Sequence, residues 1–129
     1  MSEDRLFVPV MSRFFDQFAN GTKTWEIRRA VKQWRPLFVY PGRRVEIRRG
    51  YSGGSFFGTI GKVVLANSVT ALFHQVPAQQ AAPTEFNDDG SSRALTMIEF
   101  WGIDSTINDE NNPIDLIAFE VLLNTHGGA

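Results

Sequence analysis

Apolar runs punctuated by turn residues set the pattern of this chain. Leu6-Phe7-Val8-Pro9-Val10 is apolar enough for a buried strand, and Pro9, which has no amide donor, favours an edge position. Ser12 is placed to cap a short helix. Phe14 and Phe18 lie one turn apart there, flanked by Phe15 and Ala19, so that face belongs to the core. Asn20-Gly21 is a helix stop. From Lys23 the chain alternates, with Lys23, Trp25, Ile27 and Arg29 on one side and Thr24, Glu26 and Arg28 on the other. Arg43 to Arg49 alternates more cleanly, with Arg44, Glu46 and Arg48 opposite Val45 and Ile47, as in a half-buried strand with a charged outer face. Phe56 to Ala66 predicts a long strand, with Gly58 and Gly61 as bend or bulge sites. Ile114 to Leu123 predicts the last strand, with Ile117, Phe119 and Val121 on one face.

Between these elements the pattern is looser. Pro36 argues against a helix continuing through Trp34 and Arg35, and Leu37 to Tyr40 reads as a short strand. Pro41-Gly42 marks a turn, and Gly50 to Ser55 a flexible hairpin loop. Ser68 can cap a helix running through Thr70 to Gln75. Val76 to Ser92 reads as a long loop, a kind of segment that in compact domains usually carries function or motion. Leu95, Ile98 and Trp101 suggest a third helix over Arg93 to Gly102, although a strand fits the same letters, and Ser105 to Pro113 reads as a polar loop. The expected class is α+β, mainly β, with five or six strands and two or three helices. At 129 residues the expectation is one domain over residues 1–129.

Charge changes the picture more than composition does. A hydrophobic content of 43%, with eleven Phe and three Trp, can build a core. The absence of cysteine excludes disulfides, cysteine–zinc sites and cysteine nucleophiles. No leader-like or long apolar run stands out, so a cytoplasmic protein with no membrane contact is expected. The net charge of −1 hides two halves. Residues 23–49 hold nine of the thirteen cations and only two acids, a net of +7; from Glu85 onward there are nine acids and one base, a net of −8. A segregated basic patch attracts polyanions even on a neutral chain, unless the two halves neutralise each other in the fold.

The stretch Gly21-Thr22-Lys23-Thr24-Trp25-Glu26-Ile27-Arg28 follows a strand and a helix and has the form G-x-K-T-x-E-x-R. In that order and spacing it resembles the signature of the ASCH domain, a member of the PUA-like superfamily of small β-barrels. The resemblance covers the first half of the chain well, continues through Pro41-Gly42, Val45-Glu46-Ile47 and Gly58-Thr59-Ile60, and rests on element order beyond. It implies a PUA-like barrel and a cleft beside the motif strand. Many ASCH sequences carry an acid just after the turn glycine where this chain has Arg43.

Two functions follow. The first is binding of RNA or a nucleotide-like ligand in a basic cleft, through Lys23, Thr24, Trp25, Glu26, Arg28, Arg29, Arg43, Arg48 and Tyr51. Trp25, Trp34, Tyr40 and Tyr51 lie among the cations, and stacking beside backbone neutralisation is how single strands are bound; core packing is the other fate of such tryptophans. The second is hydrolysis. In ASCH proteins of the acetylcytidine amidohydrolase type the motif lysine is the catalytic base, assisted three residues on and by a distal glutamate. The resemblance carries that role to Lys23, puts Glu26 where that type has threonine, and leaves the distal acid among Glu85, Asp88 and Asp89. A ribonuclease is a further form of this reading, a structural Lys23–Glu26 ion pair is its alternative, and a protein-interaction module with a basic face is a third class. No cofactor and no metal are expected: His74 and His126 are far apart, and neither G-x-x-x-x-G-K-[ST] nor G-x-G-x-x-G occurs.

Overall fold

A computed structural model of the chain describes residues 5–67, 69–81 and 115–124. Five strands, β1 (Leu6–Val10), β2 (Trp25–Arg29), β3 (Arg44–Arg49), β4 (Ser55–Ala66) and β5 (Leu116–Leu123), form one mixed sheet. Three short helices accompany it: α1 (Ser12–Asn20), α2 (Val69–Phe73) and α3 (Ala78–Ala81). The strand order is β1-β3-β4-β5-β2. Only β1 and β3 run parallel; the other neighbours are antiparallel. The sheet is curled, a half-barrel, and the protein is mostly β, as the pattern of apolar runs predicts.

Alternation decides which side of the curl each residue sees. Leu6, Val8, Val45, Ile47, Ile60, Phe119 and Val121 face inward and bury themselves with Phe18 of α1. A second core lies on the opposite face, where Trp25, Ile27, Leu116 and Ala118 pack beneath Leu72, Val76 and Ala81. β2 over Trp25–Ile27 and β5 over Leu116–Phe119 are therefore buried on both faces. The β4–β5 register slips between Ile60 and Val63, which places the bulge at Gly61–Lys62. Gly58 stays in register instead; a Cβ there would lie 2.5 Å from the Leu122 carbonyl oxygen, so close strand approach requires the glycine.

Several expectations are corrected. The N-cap of α1 is Met11, with no side-chain hydrogen bond, and Ser12 is already helical. Leu37 to Tyr40 is turn and coil: a 3₁₀ turn, Lys32–Trp34, and the Arg35 carbonyl, which accepts from the amides of Phe38 and Val39, shorten the path that a strand would need. α3 interrupts the long loop expected from Val76. The third helix expected over Arg93 to Gly102, the loop expected from Ser105 and the helix-capping Ser68 lie outside the described residues. Among the described residues no helix is long and apolar enough to cross a membrane, and no group of metal-ligating side chains occurs.

Candidate functional site

Lys23 does not belong to the strand that its alternation suggested. β2 begins at Trp25, and the preceding backbone is bent by the end of α1. Gly21 caps that helix in the left-handed region, at φ 87°, a conformation costly for a residue with a Cβ. The amides of Thr22 and Lys23 then both donate to the carbonyl of Gln17. Thr24 docks on α3, its amide donating to the Gln80 carbonyl and its hydroxyl lying 3.1 Å from Gln80 Oε1. This swings Lys23 away from the face of Trp25 and Ile27 and onto that of Glu26 and Arg28.

The ammonium of Lys23 is 4% exposed and has three acceptors. It donates to the carbonyls of Trp25 (2.7 Å) and Ala81, and lies 3.4 Å from Glu26 Oε1. The rings of Phe14 and Phe18 stand 5.1 Å from it. Glu26, 7% exposed, faces inward in register with Phe119. Its other oxygen accepts from Arg28 Nε at 2.6 Å. Burial opposes ionisation of Glu26, but the charges and hydrogen bonds of Arg28 and Lys23 outweigh it and hold the carboxyl below its ordinary value. Arg28 also donates through Nη2 to the carbonyl of Pro9 at 2.7 Å, and its guanidinium lies 4.4 Å from the ring of Trp34. Among the described strands β1 and β2 are the two edges of the sheet. The Arg28 side chain therefore spans the seam where the curl comes round on itself.

The structure thus brings Lys23, Glu26 and Arg28 together and separates the rest. Trp25 is buried in the second core, and Trp34 is stacked on Phe119 at 6.2 Å, so both tryptophans are packing residues. Thr24 is half-buried against α3. Arg29 is exposed at the end of β2. Arg43 donates to the carbonyl of Phe38 at 2.6 Å, at the start of β3. Arg48 and Tyr51 stand on the outer face of the sheet, the reverse of the side that holds Glu26. Glu85, Asp88 and Asp89 lie outside the described residues.

A feature that sequence reasoning missed lies where the ends of β2, β4 and β5 meet the α2 segment. A groove of about 730 Å³ is lined by Ala30, Pro36, Leu37, Leu65 and Leu116 among others, with Arg35, Asn67, Gln75 and Asp115 as its polar groups. It adjoins the C-terminal end of β2 but is not lined by Lys23, Glu26 or Arg28. Its walls come from stretches far apart in the chain, so no local pattern could reveal it. From Arg28 to Arg44 the chain carries six cations and no acid. Arg29, Lys32 and Arg44 are exposed, and no acid among the described residues pairs with them.

The curled five-stranded sheet is consistent with a small β-barrel, and its fold is that of solved ASCH-domain structures. A mutant of ZmASCH from Zymomonas mobilis superposes with a TM-score of 0.58 at 14% identity, over 90% of this chain and 67% of that one. The hypothetical protein PH0355 superposes with a TM-score of 0.66 at 11% identity, over 92% and 98% of the two chains. Protein PF0455 from Pyrococcus furiosus gives 0.61 at 12% identity, over 94% and 98%. At these identities the likeness is one of fold. No family model and no curated protein matches the sequence.

Proposed function

We propose that the protein binds RNA or a nucleotide-like ligand in the groove at the end of β2, and that Lys23 serves as a fixed charge and not as a base. The groove itself carries the reading: about 730 Å³, apolar walls, one guanidinium, one carboxylate and two amide side chains. That size and lining are those of small-ligand sites. Leu37 and Leu65 offer apolar surface to a base, Asn67 and Gln75 can both donate and accept at its edge, and Arg35 is placed for a phosphate. The neighbouring cations Arg29 and Lys32 extend the attraction to a longer polyanion.

A hydrolase working through Lys23 has less support. The three oxygens around its nitrogen each require a donor, so no lone pair is offered to a substrate proton. Titration of the protein with nucleoside monophosphates and with single-stranded RNA tests the binding reading. Binding is expected to weaken as salt rises, because neutralised phosphates release counterions, and to weaken about tenfold in Arg35→Ala. Wild-type affinity in Arg35→Ala, or no binding at low salt, would sink the groove reading. Turnover of an acylated cytidine that vanishes in Lys23→Arg would restore the enzyme, since a guanidinium stays protonated.

A further inference from the structure

The outward face of β1, β3 and β4 has a different composition from an ordinary solvated sheet. Phe7, Glu46 and Phe57 lie side by side on three adjacent strands, in register, so the two rings flank one carboxylate. Arg44 and Arg48 share that face of β3, and Arg5 precedes β1 beside it. Glu46 is already neutralised: Arg48 pairs with one of its oxygens, and Arg5 Nε lies 3.8 Å from the other. Arg44 has no acid partner among the described residues. The face therefore carries three guanidiniums against one carboxylate.

Two of its three rings are open, and Phe7 is half-buried between them. Phe57 is 39% exposed and Tyr51 79% exposed, both large values for rings on a folded domain. Tyr51 approaches Phe7 at 6.1 Å between ring centroids. Arg48 lies 5.1 Å from the ring of Phe7, and Arg5 4.8 Å from that of Phe57. Phe7 and Phe57 stand roughly 10 Å apart, two strand spacings. A guanidinium held over a ring is also a flat surface to which a base can be applied.

We propose that this outer face is a stacking platform for single-stranded RNA, with Phe7, Tyr51 and Phe57 taking bases and Arg5, Arg44 and Arg48 taking phosphates. It goes beyond the groove reading and stands without it, since none of these residues lines the groove. Charge complementarity selects the partner. Rings alone would suit a hydrophobic surface, but rings interleaved with guanidiniums and a neutralised acid match a polyanion that carries planar groups.

Fluorescence anisotropy of a labelled oligouridylate at low salt tests it. Phe57→Ala and Tyr51→Ala are each expected to weaken binding at least about fivefold, the lower end of what stacking of one base contributes. Phe57→Trp should restore it. Tyr51 is mostly solvent-facing, so its thermal midpoint is expected to stay at the wild-type value and keeps the test valid should Phe57→Ala perturb folding. Mononucleotide binding in the groove is expected to be unchanged in both, and Arg35→Ala is expected to leave the aromatic effect intact, so failure of one site is distinguishable from failure of the other. Wild-type oligouridylate affinity in both alanine variants overturns the platform. So does a loss confined to Arg44→Ala and Arg48→Ala, which would mark a charged surface without stacking.

Discussion

The tetrapeptide Glu-Ile-Arg-Arg occurs twice, as Glu26–Arg29 in β2 and as Glu46–Arg49 in β3, and the two copies face opposite ways. In β2 the glutamate and first arginine point into the curl, and Ile27 goes to the second core behind the sheet. In β3 Ile47 fills the main core, and Glu46 and Arg48 stand outside. Each glutamate still gathers two cations, Lys23 and Arg28 in one case, Arg5 and Arg48 in the other. Local sequence sets the alternation but not which side is in. For β2 the deciding weight is Trp25, which shares a face with Ile27 and is covered by α2 and α3. Taking that bulk to the rear leaves the polar face inside, and Lys23 neutralises what would otherwise be an inward carboxylate sharing one arginine.

The comparison can be broken first at the acids. Glu26→Gln leaves two largely enclosed cations without their counter-charge and is expected to cost about 3–5 kcal/mol in urea unfolding. Equal losses in Glu26→Gln and Glu46→Gln would show that facing makes no energetic difference. Acid sharpens the test. The folded value of Glu26 is held below the ordinary 4.5, so the stability it contributes is complete above that pH and is lost as pH falls through the folded value. The gap between wild type and Glu26→Gln is therefore expected to narrow below pH 4.5; a constant gap would remove the carboxylate charge from the account.

Arg28→Lys comes next. It keeps the charge but cannot hold Glu26 and the Pro9 carbonyl together in the same planar arrangement. A loss of about 1.5–3 kcal/mol is expected, the range for a hydrogen bond to a charged group, with faster amide exchange at Val8 and Val10. Unchanged exchange there would mean that Trp34 and Phe119 hold the seam without it. The smallest effect is expected for Glu46→Gln, about 1 kcal/mol or less, since both its cationic partners reach solvent.

Much of the fold was legible because apolar alternation maps directly onto strands. β1, β3, β4 and β5 were anticipated within a few residues, as were the outer charges of β3; of the two glycines expected at a bend or bulge, Gly61 lies in the slipped stretch and Gly58 does not. The motif trio was legible too, by spacing and by its resemblance to ASCH sequences. The facing of Lys23 was not, because it depends on Gln17 and Gln80 fixing the backbone just before the strand. Nor was the burial of Trp25, which follows from helices more than forty residues downstream. The placement of Arg48 and Tyr51 on the face opposite Lys23 likewise depends on strand order, which no short window of sequence contains.

The strand order also sets a timetable. Among the described strands β2 pairs only with β5, so during synthesis it waits for the far end of the chain. About 90 residues separate them, on the order of ten seconds at usual rates of elongation. Through that interval Trp25 and Ile27 have no sheet partner, and the Lys23–Glu26–Arg28 charges have no enclosure. β1, β3 and β4 can meanwhile assemble, since they lie within the first half of the chain. The nascent protein is thus a three-stranded fragment with β2 held unpaired in the connection between β1 and β3 until β5 arrives.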